Sequence, residues 1–240
     1  MKIALVHDQL QEFGGAERVL VALHDLYPDS DVYTSFYNPQ TLGNHAEKFK
    51  GWKIKTSWAQ KIPFLNKLYS PLRFITPNIW ERFDLSGYDL VISSSGSFMC
   101  KGVKTKKPTV HISYIHHPPR YLYGYETGTL NELRKYTLFR MYVSVVNHFL
   151  RMWDFTSSKR PDFIIVNSEE TKKRVGKFYR RDSVVIYPPV VIPKKIDYEK
   201  SSPSFYLSIS RLQFAKHIDV LIKAANKKKF KLKVVGVGRN

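Results

Sequence analysis

Three short stretches carry residue types suited to holding a phosphate or a sugar. The first is Gly14-Gly15-Ala16-Glu17-Arg18, directly after an apolar run. Glycines let backbone N–H groups approach an anion at a helix N-terminus. The same pair also suits a tight turn with positive φ. The spacing is not G-x-G-x-x-G, and G-x-x-x-x-G-K-[ST] occurs nowhere, which weakens a dinucleotide or P-loop reading. The second stretch runs from Tyr114 through Ile115, His116, His117, Pro118, Pro119, Arg120 and Tyr121 to Tyr123. Its prolines stiffen a loop in which His116, His117, Arg120 and Tyr121 can hydrogen-bond sugar hydroxyls, stack on a ring and meet a diphosphate. The third is Ser210-Arg211-Leu212 with Lys216 beyond it. Two cations around a helix start can anchor a leaving diphosphate and stabilise its developing charge. In a chain this rich in lysine, residue type alone is a weak signal for that role.

Other patterns point away from chemistry. Asp29-Ser30-Asp31 matches an acid-x-acid metal pattern, yet it falls between the first helix and the second strand, at the amino edge of a sheet, and reads as turn and strand start. The histidines show no H-x-x-x-H or H-E-x-x-H spacing, so no metal site is expected. The single cysteine, Cys100, excludes an intrachain disulfide and reads as a small buried residue. Thirty-nine Lys and Arg against 20 Asp and Glu give a net charge of +19. Such a field draws nucleic acid, anionic lipid or diphosphate-bearing substrates without choosing among them. No RNP, zinc-finger or KH signature is present, which argues against a specific nucleic-acid partner. No apolar stretch is long enough to span a membrane. Met1 to Asp8 reads as a first strand rather than a signal peptide, and the cytoplasm is the expected location.

The elements that must position these residues follow an alternating pattern. Ile3 to Val6 is a continuous apolar run, and Ala16, Val19, Leu20, Leu23 and Leu26 follow at helical spacing. Strands are predicted at 31–36, 89–93, 109–114, 162–166 and 183–187. Ser168 is placed to cap a helix with acids in its first turn and bases later. The fold class is α/β: a doubly wound, Rossmann-like parallel sheet over 1–190, a linker over 191–204, and over 205–240 the incomplete start of a second Rossmann-like domain. Two stretches fit no simple βα unit. Residues 50–83 interleave Trp52, Trp58, Phe64 and Phe74 with lysines, and residues 130–160 form a long basic helical pattern. Either suits an anionic membrane surface; either also suits a helix or cover layer with a solvated basic face.

These segments, in this order, resemble the retaining GT-B glycosyltransferases of family 4, and within them the bacterial mannosyltransferases of O-antigen and capsule assembly. The markers are the Gly14-Gly15 turn, the His116-to-Tyr121 loop, Val185-Ile186-Tyr187-Pro188-Pro189-Val190, and Ser210-Arg211-Leu212 through Lys216. The family loop usually reads Cys-His-Thr-Pro-x-Arg-Tyr. That register puts His116 at the family histidine near the donor sugar and His117 at the threonine, although the doubled histidine leaves His117 as an alternative. The resemblance implies that Arg211 and Lys216 hold the donor diphosphate, with Ser210, Gly14 and Gly15 lining the cleft. It implies no cofactor and no essential metal, only a nucleotide-sugar co-substrate, GDP-mannose being favoured. The acceptor would be lipid-linked or a glycan, met at the inner membrane face. The family's second domain also carries a spaced pair of glutamates and a helix returning to the first domain. Neither is present, so the expectation is a C-terminally truncated transferase with impaired activity. The competing expectation is a non-catalytic basic domain that docks on a membrane or a partner.

Overall fold

The computed structural model describes residues 1–65, 69, 71–125, 136–190, 192, 204–212 and 216–238. The first apolar run forms β1 (Ile3–His7), buried at every residue. It is followed by α1 (Gly15–Leu26), β2 (Asp31–Thr34), the short α2 (Pro39–Leu42), β3 (Lys53–Thr56) and α3 (Thr76–Glu81). Then come β4 (Leu90–Ser95), β5 (Val110–Ile115), α4 (Thr137–Ser157), β6 (Phe163–Val166), α5 (Glu169–Tyr179) and β7 (Val184–Val185). A separate unit contains β8 (Tyr206–Ile209), α6 (Ile218–Lys228) and β9 (Leu232–Val235). Most of the stretch read as a linker, 191–204, lies outside the described residues; Ile192 and Ser204 are described.

The seven strands of the first unit form one parallel sheet in the order β3-β2-β1-β4-β5-β6-β7. This is a doubly wound Rossmann-like sheet whose strand order reverses between β1 and β4. Alternation along β1 sends Ala4 and Val6 to one core with Phe36, Trp80 and Val91, and Ile3 and Leu5 to another with Leu20, Val32 and Phe49. Burial on both faces is why β1 reads as an unbroken apolar run rather than an alternating one. In the second unit β8 and β9 pair in parallel. Gly236 is required there: a Cβ on it would fall 1.8 Å from the carbonyl oxygen of Ser210.

The basic, aromatic stretch 50–83 hides an element that its composition obscures. Lys53 to Thr56 is the edge strand β3, with its lysines turned to solvent, a common way of blunting a sheet edge. The tryptophans beside it are packing residues, not surface anchors. Trp52 stacks on His24 with ring centroids 3.7 Å apart, and Trp58 packs against the core that holds Phe36 and Trp80. Ser168 caps α5 as expected, accepting the Thr171 N–H at 3.2 Å.

Helix α4 is tied down by a buried ion pair. Lys101 donates from Nζ to a carboxylate oxygen of Asp154, to the Asp154 carbonyl at 3.2 Å and to Ser157 Oγ at 3.3 Å. Tyr123 donates to the other carboxylate oxygen at 2.7 Å. Both charged side chains are buried, so removing one strands the other. The variant Lys101→Met is expected to lose about 3–5 kcal/mol in a urea titration. Lys101→Met combined with Asp154→Leu is expected to regain much of that loss; no regain would show that the pair is not the anchor.

A second cluster pins the same helix from outside. Trp153 Nε1 donates to Glu81 at 2.7 Å, Arg160 also bonds Glu81, and Lys104 approaches it at 2.7 Å. Partial burial raises the Glu81 pKa, but the Lys104, Trp153 and Arg160 hydrogen bonds outweigh it and hold the carboxyl near 2, below the ordinary 4.5. A depressed carboxyl stabilises the fold fully above its unfolded pKa and loses that contribution as pH falls through the folded one. The melting-temperature gap between wild type and Glu81→Gln should therefore be full above 4.5 and shrink towards 2. A pH-independent gap would contradict the assignment.

Candidate active site at the sheet switch point

The carboxyl ends of β1, β4 and β5 meet where the strand order reverses, and each delivers a polar side chain there. β1 ends in His7 followed by Asp8, β4 in Ser94-Ser95 followed by Gly96, and β5 leads into His116. Asp8 organises this edge. Its carboxylate accepts the backbone N–H groups of Gly96 at 2.7 Å, Phe98 at 2.9 Å and Cys100 at 2.9 Å. It thereby fixes the loop after β4 against the end of β1. Cys100 is held inside this turn and its Sγ donates to the Val6 and Ser94 carbonyls. Burial, then the nearby Asp8, push its thiol pKa well up, so it is a packing residue and not a nucleophile.

Beside Asp8 runs a chain of hydrogen bonds through the protein interior. Glu17 Oε1 lies 3.4 Å from His7 Nε2, His7 Nδ1 lies 3.1 Å from Ser94 Oγ, and Ser94 Oγ lies 2.8 Å from His116 Nε2. Glu17 also accepts the Gly14 N–H at 2.7 Å, which joins the glycine turn to the chain. Burial opposes ionisation of Glu17, but the His7 hydrogen bond and charge and the two backbone N–H groups outweigh it, so its pKa is lowered. Burial, then His7 and His117, bring His116 down from 6.5 to about 3, and it is neutral at ordinary pH.

Those protonation states dictate a direction. An ionised Glu17 only accepts, so His7 Nε2 carries a hydrogen towards it. When His7 carries only that one hydrogen, its Nδ1 accepts from the Ser94 hydroxyl. That hydroxyl has one hydrogen to give, so His116 must donate from Nε2, which leaves His116 Nδ1 with a bare lone pair. A second hydrogen on His7, at Nδ1, would leave the bond to Glu17 as it is but reverse the two bonds at Ser94 and put a hydrogen on His116 Nδ1. His7, Glu17 and Ser94 are thus positioning residues for His116. Residue-type reasoning singled out His116 and not these three. Their traces were the polar residues closing an apolar strand and the small polar run after β4.

The remaining expected residues are distributed unevenly. Gly14 has φ −145°, so it is not the positive-φ turn that its type allowed. Its role is room: a Cβ there would lie 3.2 Å from an Arg211 guanidinium nitrogen. Gly15 opens α1, and a Cβ on it would meet nothing within 4 Å. Arg211 reaches across from the second unit to the first and donates to Glu12 at 2.9 Å, both side chains remaining partly exposed. Ser210 pairs through its backbone N–H with the Val235 carbonyl, while its Oγ is buried without a partner. Lys216 is exposed just ahead of α6 and is not drawn into the cluster. His117 sits beside Gly96, 3.6 Å from where its Cβ would be, with Nδ1 3.0 Å from the Pro118 carbonyl. Arg120 is exposed on a turn of 3₁₀ helix. Tyr121 is bound into the scaffold: its hydroxyl donates to the Ser97 carbonyl and its ring lies under Arg73, 4.2 Å away. Asp31, at the amino edge, is engaged by Lys55 at 2.9 Å and by the Tyr88 hydroxyl.

The Ser94→Ala variant cuts the chain at its centre. Histidine ¹⁵N spectra should show wild-type His116 protonated at Nε2, bare at Nδ1 and not titrating down to about pH 5. In Ser94→Ala the tautomer should become mixed, with a stability loss of about 1–3 kcal/mol for the buried nitrogens left unpartnered. An unchanged His116 spectrum in the variant would refute the relay.

Comparison with known proteins bears on the fold and the family. Among solved structures, the chain is similar to the Anabaena protein HepE, crystallised in complex with UDP. The TM-score is 0.56 and the identity 14%, with 100% of this chain and 62% of that chain covered. The chain therefore spans less than two thirds of HepE, and at this identity the likeness is one of fold. No curated protein matches the sequence. The profile of Glycosyltransferase Family 4 matches residues 13–193, which run from the glycine turn through the last strand of the large sheet. The chain belongs to Glycosyltransferase Family 4.

Proposed function

We propose that this chain serves in transfer of a sugar, with mannose favoured, from a nucleotide-sugar donor to a lipid-linked or polysaccharide acceptor. The observation that carries the reading is the meeting of Arg211 with Gly14 at the N-terminus of α1, above the switch point. A guanidinium beside a helix N-terminus is complementary to a diphosphate once its Glu12 partner is exchanged for that anion. Across the same edge, His116 offers a neutral imidazole to a donor hydroxyl. Its Nε2 is occupied by Ser94, so Nδ1 is the atom left for a sugar.

In this reading Arg211, with Lys216 closing in from the start of α6, binds the nucleoside diphosphate and stabilises the charge that grows on it as the glycosidic bond breaks. His116 positions the sugar, His117 and Arg120 flank it, and Gly14 and Gly15 leave space for donor and acceptor. Retention at the anomeric carbon and independence from metal come with the family resemblance rather than from any distance in this structure. HepE, the relative of like fold, was crystallised with UDP, which supports a nucleotide site; GDP-mannose remains the donor favoured by resemblance. The acceptor is proposed to be met at the inner membrane face. Among the described residues no helix is long and apolar enough to cross a membrane, so contact there would be peripheral.

Titration calorimetry with GDP, UDP and GDP-mannose tests the proposal. Saturable binding is expected, weakened about tenfold to a hundredfold by Arg211→Ala, the value of one charge-assisted contact. Glu12→Gln, which releases Arg211 from its partner, should not weaken it. Absence of saturable binding to any nucleoside diphosphate, or indifference to Arg211→Ala, would favour a non-catalytic docking domain instead.

A further inference from the structure

Helix α4 has two apolar faces, and the fold uses one. Towards the sheet it buries Leu150, Asp154 and Ser157 and packs Val146 and Trp153 against Met99 and Leu122. Along its outer side Leu138, Met141, Val145, Phe149 and Met152 are each more than half exposed. Their steps of three and four residues keep them on one stripe, about 20 Å long at the rise of an α-helix. The turn Arg73–Ile75 packs beside α4 and adds exposed Phe74, while Tyr142 donates to the Pro71 carbonyl between the two. An exposed apolar patch of this extent marks an interaction surface.

Charge identifies the occupant. Between Tyr136 and Arg160 the chain has one acid, Asp154, and it is buried against Lys101. Arg140 and Arg151 are exposed on the helix more than a quarter turn round from the stripe, Arg151 also donating to the Leu122 carbonyl, and Lys159 follows just past the helix end. A second copy would bring another +19 against this face. An anionic bilayer offers acyl chains to the stripe and opposite charge to the arginines, the arrangement of a helix lying in the plane of the membrane interface. We propose that the outer face of α4, with Phe74, is a docking surface for an anionic lipid bilayer. It gives the membrane-side acceptor of the proposed function a specific face of this molecule, and it is read by lipid binding alone, without sugar transfer.

Vesicle flotation tests it. The intact chain should bind phosphatidylcholine vesicles containing phosphatidylglycerol, should bind pure phosphatidylcholine weakly, and should be released by salt. Met141→Gln with Phe149→Gln should cut binding at least about tenfold, because two large apolar side chains no longer insert. Arg140→Glu should also weaken it. Leu26→Gln, at an exposed leucine on α1, should change nothing. Circular dichroism melts and nucleotide titrations on the same variants separate loss of this surface from loss of the fold or of the donor site. No vesicle binding, or equal binding by the double glutamine variant, overturns the proposal. So does a dimer in sedimentation that the double variant dissolves, since a second copy would then be what covers the stripe.

Discussion

Three backbone N–H groups converge on the carboxylate of Asp8, and much of the functional edge depends on that convergence. The loops after β1 and β2 also pair directly, through Leu10 with Phe36 and Asn38, but the loop after β4 is held by Asp8. Asp8 is a buried acid directly after the central strand, and it holds the loop after β4 at three points between Gly96 and Cys100. The Asp8 carbonyl also accepts from Ser35 after β2. Loops after three adjacent strands are thereby referred to one residue. Gly96 is part of the same fit, because a Cβ there would press against the carboxylate at 3.2 Å and approach His117.

The consequences run outward in two directions. Towards the cleft, the fixed β4 end places Ser94 between His7 and His116, so that a carboxylate on the first helix sets the hydrogen on a histidine after the fifth strand. Towards the surface, the same turn carries Lys101 into Asp154 of α4. Gly102 follows, and the Trp153 ring fills the place a side chain would take, 2.3 Å from an added Cβ. The polar interior of this protein is therefore continuous from the carboxyl edge of the sheet to the outer helix. Each buried charge along it has a partner, as the cost of an unpaired one requires.

Much of the frame was legible in the chain. β1, β4, β5 and β6 are short apolar runs bounded by polar residues, and they fold where that pattern places them, within a residue or two. β3 was not legible, because an edge strand of alternating lysines carries little hydrophobic signal and lies beside tryptophans that look like surface anchors. Of the site, the residues with distinctive chemistry stood out: the paired glycines, the doubled histidine and Arg211. Those whose importance is relational did not. Glu17 looks like an ordinary helix acid until His7 is seen 3.4 Å away, and Glu12 has no local signal for an arginine 199 residues distant. The room that Gly14 leaves for Arg211 depends on the placement of one unit against another, which no local pattern encodes.

The buried pair on α4 also explains why its outer stripe stays outside. A helix with apolar residues over most of its circumference can in principle roll to bury whichever side packs best. Here Lys101 grips Asp154 at one end of the inner face, Tyr123 takes the second carboxylate oxygen, and Trp153 is locked between Gly102 and Glu81. Rotation would break a desolvated ion pair and leave both charges stranded, a cost larger than the burial of any one exposed side chain could offset. The rotational phase of α4 is thus set by electrostatics, and the apolar face it turns outward is a consequence. Arg151 donates to the Leu122 carbonyl, at the end of the loop that begins with His116. The outer helix is thereby joined to the end of the histidine loop, where Leu122 packs against Leu150.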